Sequence, residues 1–130
     1  MISALQKEEG MATKETVEAY MAAWNETDEG KRRSLLAKAW ADGATYTDPM
    51  AHAAGIDEVV ALVSQFHNQM PGAKIVQTSA IDEHHGRLRF GWAMLGPDGS
   101  TRMEGIDVGE LTEDGRLRSI LGFFGPLPPA

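Results

Sequence analysis

Cysteine is absent from the 130 residues, which removes disulfides, a thiol nucleophile and cysteine-based zinc sites together. Positive charge is scarce: 12 Lys and Arg against 19 Asp and Glu leave a net charge of −7. Such a surface suits neither a nucleic-acid groove nor an anionic membrane. No apolar run approaches the roughly 18 residues that cross a bilayer, and Met1 to Gly10 is too polar for a signal peptide. A cytoplasmic location is the resulting expectation. Gly-x-Ser-x-Gly, glycine-rich phosphate loops and His-x-x-x-His are all missing, so neither nucleophilic catalysis nor a metal is expected. What remains is ordinary globular material, 42% hydrophobic and 24% charged, enough for one domain with its own core.

Residues 1–12 have little periodicity and read as a flexible leader, within which Met11 is an alternative start. Thr13 then fits an N-cap, with Glu15 in the first turn where the helix dipole favours an acid. Val17, Tyr20, Met21 and Trp24 follow at i, i+3, i+4 and i+7, one helical stripe that turns Tyr20 toward the core. A second helix buries Leu35, Leu36, Ala39 and Trp40 and is expected to close at Asp42-Gly43. Lys31, Arg32 and Arg33 at its start read as a solvated face. A third helix runs from Gly55 to Pro71-Gly72, with Ile56, Val59, Val60, Val63, Phe66 and Met70 in period.

From Lys74 the period changes to two. Lys74 to Glu83 reads as one strand and His84-His85-Gly86 as a turn. Leu88, Phe90, Trp92 and Met94 alternate with Arg87, Arg89, Gly91 and Ala93, and Gly96 to Gly99 forms a hairpin loop. Strands over Ser100 to Thr112 and Leu117 to Phe124 complete the meander. Residues 126–130 are a proline-rich tail, so the domain spans 13–125. Helices first and antiparallel strands after define an α+β fold, three N-terminal helices packed on a curved, mostly antiparallel sheet. Such a cone encloses a cavity.

Two carboxyls stand out. Asp48 ends the short strand Ala44 to Thr47, where Pro49 cannot donate to a ladder, and so sits at a loop mouth. Taken alone it is also an ordinary turn former. Asp107 shares one strand face with Met103, Gly105, Gly109 and Leu111. If that face is the inner one, the carboxyl lies in apolar surroundings and resists ionisation. Alternation alone leaves the choice of faces open.

Tyr20-Met-Ala-Ala-Trp-Asn25 with Asp28 three residues on, Ala44-Thr-Tyr-Thr-Asp-Pro49, and Ile106-Asp107 followed by Gly122-Phe-Phe-Gly125 together resemble the ketosteroid isomerases. Gly105-Ile-Asp107 and Asp114-Gly115 are similar to SnoaL-like proteins more broadly, within the nuclear transport factor 2-like (cystatin-like) superfamily. The resemblance covers Thr13 to Gly125. It implies Asp48 as general base, with Tyr20 and a protonated Asp107 as the oxyanion hole, and no cofactor. The activity implied is isomerase- or polyketide cyclase-type proton transfer next to a carbonyl on an apolar small-molecule substrate. The expected substrate-binding residues are Trp24, His52, His67, Phe90, Trp92, Met94, Met103 and Phe123, with His52 also a second possible base. Homodimerisation through the outer face of the sheet is implied as well. A non-catalytic pocket or dimerisation module of the same fold is the alternative. Epoxide hydrolysis ranks last, because Arg102 is out of phase with Asp107.

Overall fold

The computed structural model describes residues 4–130, with side chains described from Thr13 onward. Among these residues three helices precede and interrupt the sheet: α1 (Ala4–Asn25), α2 (Glu29–Ala39) and α3 (Gly55–Gln69). The strands follow the order β1 (Trp40–Thr47), β2 (His52–Ala54), β3 (Lys74–Gln77), β4 (Asp82–His84), β5 (Arg87–Leu95), β6 (Thr101–Leu111) and β7 (Leu117–Phe124). In space they run β2-β1-β7-β6-β5-β3, with β4 beside β5. The pairing of β1 with β7 is parallel, and the others described are antiparallel.

The helical stripe on α1 is buried: Val17, Tyr20, Met21 and Trp24 all belong to the core. Facing them are Leu88, Phe90 and Trp92 from β5, Leu117 and Ile120 from β7, and Val59, Val60 and Val63 from α3. Removing each large apolar side chain from water contributes roughly 1.5–3 kcal/mol, so the apolar seam between helices and sheet holds the cone shut. Among the described residues no helix is long and apolar enough to cross a membrane.

Several local expectations are revised. Helix α1 is already formed at Ala4, so Thr13 is an interior residue whose hydroxyl donates to Glu83; Met1 to Ser3 of the expected leader lie outside the described residues. Helix α2 closes at Ala39, because Trp40 is already extended. Gly43, at φ +72°, instead turns a bulge within β1, between the Trp40–Leu117 and Thr45–Ser119 pairings. The anticipated strand over Lys74 to Glu83 is two short ones. Between them Thr78 and Ser79 pack against Gly91, where a Cβ would lie 2.6 Å from the Thr78 hydroxyl.

Arg32 is the largest correction. It is not on a solvated face but fully buried. Its guanidinium donates to the carbonyls of Glu26 at 2.9 and 3.0 Å and Val60 at 3.0 Å, and to the Ser64 hydroxyl. One planar fork thereby ties the α1–α2 connection to α3, a geometry suited to arginine. Asp28 caps α2 by accepting from the Lys31 N–H at 2.8 Å, and Arg33 pairs with Asp57. These acids offset the positive charge that the helix start would otherwise resist.

Candidate functional site

A cavity of about 460 Å³ opens between α1, α3 and the inner face of the sheet. Its walls are aromatic and thioether-rich: Trp24, Phe66, Trp92 and Phe124, with Met21, Met50, Met70, Met94 and Met103. Tyr20, Tyr46, Asp48 and Asp107 form its polar end, and Gln65 and Gln69 also lie on its lining. Among the described residues no Lys, Arg or His lines it.

Asp107 reaches this end because β6 places Met103, Gly105, Asp107 and Gly109 on the inner face, leaving Ile106 half exposed outside. The Tyr20 hydroxyl donates to Asp107 Oδ2 at 3.3 Å, and the Tyr20 ring stacks on Trp40 with centroids 5.9 Å apart. Burial pushes the Asp107 carboxyl up from 3.8 to about 7. Tyr20 opposes that rise by donating, and the Trp92 indole N–H opposes it too, although it makes no well-formed hydrogen bond. The Asp48 charge pushes in the same direction as burial. The Tyr20 phenol is held well above its ordinary value, first by burial and then by the charge of Asp107. At neutral pH this end of the cavity therefore carries protons it can share.

Asp48 is fixed differently. Its Oδ1 accepts from the backbone N–H groups of Met50 and Ala51, both at 2.8 Å, in a tight turn after β1. Its Oδ2 accepts from the Tyr46 hydroxyl at 2.6 Å. Gly122, opposite Asp107 in the β6–β7 register, lets the acids lie this close to the sheet. A Cβ there would meet Asp107 Oδ1 at 3.2 Å, Asp48 Cβ at 3.3 Å and the Tyr46 hydroxyl at 3.6 Å.

The structure thus brings Tyr20, Asp48 and Asp107 onto one cavity, with Trp24, Trp92, Met94 and Met103 around them. Four other expected binding residues are elsewhere. Phe123 is 57% exposed on the outer face, and its neighbour Phe124 enters the cavity and meets Trp92 edge-on. Adjacent strand residues face opposite ways, and the register of β7 selects the second phenylalanine. Phe90 is buried in the core beneath the lining. His52 is exposed on β2, its Nδ1 2.8 Å from the Thr47 hydroxyl. His67 Nε2 lies 2.8 Å from the Trp24 carbonyl. It must donate there, so it satisfies a carbonyl near the end of α1 instead of entering the cavity. Asn25 closes the same helix end by a two-way bond with the Ile75 backbone, 2.7 Å each way.

Tyr46 is a site residue that the expected set omits. Its signal is nonetheless in the sequence, since Ala44, Tyr46 and Asp48 are spaced by two along β1 and its exit and so share a face. Among the described residues no group of three His, Cys, Asp or Glu is placed to hold a metal ion.

Three helices on a curved sheet, closed around an apolar cavity with acids and phenols at one end, define the nuclear transport factor 2-like, or cystatin-like, architecture. The chain belongs to the SnoaL-like domain family, whose sequence model matches residues 17–120. A SnoaL-like family protein from Agrobacterium tumefaciens, described as a candidate isomerase, superposes with a TM-score of 0.83 at 32% identity, covering 89% of this chain and 99% of that one. A nuclear transport factor 2-like protein of unknown function from Exiguobacterium sp. 255-15 has a TM-score of 0.68 at 20% identity, covering 86% and 99%. A candidate SnoaL-like polyketide cyclase from Jannaschia sp. CCS1 has a TM-score of 0.64 at 13% identity, covering 85% of both chains. The last two speak to the fold alone. No curated protein matches the chain at a significant level.

Proposed function

We propose that the protein is a cofactor-independent isomerase or cyclase that moves a proton next to a carbonyl on a small apolar molecule. The observation that carries this reading is the buried Tyr20–Asp107 pair, 3.3 Å apart, on the same cavity as Asp48. Asp48 takes a proton from the carbon beside the carbonyl, and the bonding pair moves onto the carbonyl oxygen as an enolate. As its charge grows the protonated Asp107 donates to that oxygen, and Tyr20 turns its hydroxyl from Asp107 Oδ2 to donate there as well. Donors aimed at a developing oxyanion contribute on the order of 10²–10³ in rate each, and more where water is excluded. Return of the proton to a different carbon gives an isomerase; attack of the enolate on a second carbonyl gives a cyclase.

The substrate is neutral in this reading. The described lining offers no cation, so an anionic substrate would be desolvated beside two acids without a counter-charge. A panel of neutral cyclic β,γ-unsaturated ketones, followed by the absorbance of the conjugated product, tests the reaction. Wild type converts at least one member and Asp48→Asn loses that conversion. Wild type that binds the ketones without converting any would instead make this a small-molecule-binding module.

A second copy of the chain is proposed on the outer face of the sheet. Ile106 faces Phe123 and Val108 faces Leu121 across β6 and β7, and Ile106, Phe123 and Leu121 are exposed. An apolar patch of this kind marks an association surface. Sedimentation detects a dimer that Phe123→Glu dissociates; a monomer at high concentration rejects it. A cytoplasmic location belongs to the same reading, supported by the acidic, cysteine-free chain.

A further inference from the structure

We infer that Tyr46 is a positioning residue for the base, holding Asp48 so that one free lone pair of its Oδ2 faces the substrate; this rests on Asp48 being the base. The two oxygens of Asp48 are held by different parts of the molecule. Oδ1 is tied to its own turn by the Met50 and Ala51 N–H groups. These contacts leave the carboxylate free to swing about the Oδ1 anchor. Tyr46 removes that freedom, because its hydroxyl donates to Oδ2 at 2.6 Å from the same strand face. The phenol itself is held rigidly: it is 6% exposed, its ring meets Trp24 at 5.5 Å, and β1 is paired on both sides at this position.

Tyr46 also keeps its proton. Its acidity is suppressed far beyond the ordinary tyrosine range, first by burial and then by the bond to Asp48. It therefore serves as a fixed donor throughout the reaction and is not consumed by it. The Tyr46 hydroxyl, Asp48 and Asp107 all approach one point above Gly122, so the base and Asp107 are set against a common floor.

Two measurements test this. The first needs no substrate: proton NMR of the free protein shows a downfield, slowly exchanging Tyr46 hydroxyl resonance. It disappears in Tyr46→Phe and moves upfield in Asp48→Asn, where the acceptor is no longer charged. A Tyr46 hydroxyl resonance indifferent to Asp48→Asn overturns the inference, whatever the enzyme does. The second uses any ketone that wild type converts. Tyr46→Phe keeps the ring and its packing, so KM stays within about twofold while kcat falls roughly 10- to 100-fold, the size expected for a misaligned reacting group. The Tyr46→Phe/Asp48→Asn double variant is no slower than Asp48→Asn, since Tyr46 acts only through that carboxylate. An unchanged kcat in Tyr46→Phe, or additive losses in the double variant, refutes the positioning role. A wild type inert toward every ketone defeats the enzymatic reading and, with it, this role, while the resonance test still reports separately on the Tyr46–Asp48 bond.

Discussion

Replacing Asp107 by Asn should flatten the dependence of stability on pH. The carboxyl ionises near 3.8 in an open chain and near 7 in the fold. Between those values the native protein holds a proton that the unfolded chain has released, so stability falls as pH rises through the window. Below about 4 both forms are protonated and the group does not oppose folding through its charge. Above 7 both are ionised and the full difference, about 4 kcal/mol, works against the fold. Roughly 2–3 kcal/mol of this lies between pH 5 and pH 8. Asn has nearly the same shape and carries no charge at either pH. Urea unfolding followed by tryptophan fluorescence, run on both proteins at the two pH values, reads out Asp107 with the groups coupled to it, because titrating residues that do not interact with it cancel in the difference. Wild type should lose about 2–3 kcal/mol more than Asp107→Asn on going from pH 5 to pH 8. Parallel losses would mean that Asp107 ionises normally and is no proton donor at neutral pH. The catalytic reading would then lose half of its oxyanion hole.

The two tyrosines, Tyr20 and Tyr46, are both buried with their acidity suppressed. Their contribution to stability is complete below the ordinary phenol range near pH 10 and is lost above it. An ultraviolet titration should therefore show tyrosinate only as the fold is lost; ionisation of either in the folded protein contradicts this. Arg32→Met should destabilise by about 2–4 kcal/mol in urea, since the Glu26 and Val60 carbonyls lose their donor. Arg32→Lys should recover less than half, and full recovery would show that charge matters more than the fork. Gly122→Ala should cost about tenfold in kcat through displacement of the two acids, with little loss in thermal midpoint. Full activity would show that the crowding is absorbed elsewhere.

Periodicity located α3 and the part of α1 from Val17 onward because each buries a long apolar stripe, whereas α2 buries only Arg32, Leu36 and Ala39 and was placed less well. The turn residues at Pro71-Gly72, His85-Gly86 and Gly96 to Gly99 marked the chain reversals. The inward set of β6 was one of two equal phases until the aligned strands were in view. Phe123 and Phe124 pose the same problem more sharply, since only the register of β7 says which ring turns in. Arg32 was illegible for a different reason. Three basic residues in a row look solvated, and nothing local announces that one will meet carbonyls from Glu26 and Val60. Tyr46 needed no distant contact to be noticed, only the two-residue spacing to Asp48. The histidines misled because their chemistry drew attention to a cavity that their backbones do not face.

The parallel pairing of β1 with β7 has an implication for assembly. Tyr46 lies beside Ile120, and more than half of the chain separates them. The end of β1 that bears Asp48 has no β7 neighbour until the final strand has been synthesised and docked. Contacts so remote along the chain are slow to form. A nascent or C-terminally clipped polypeptide that lacks β7 would miss Leu117 and Ile120 from its core and leave the Asp48 end of β1 unpaired.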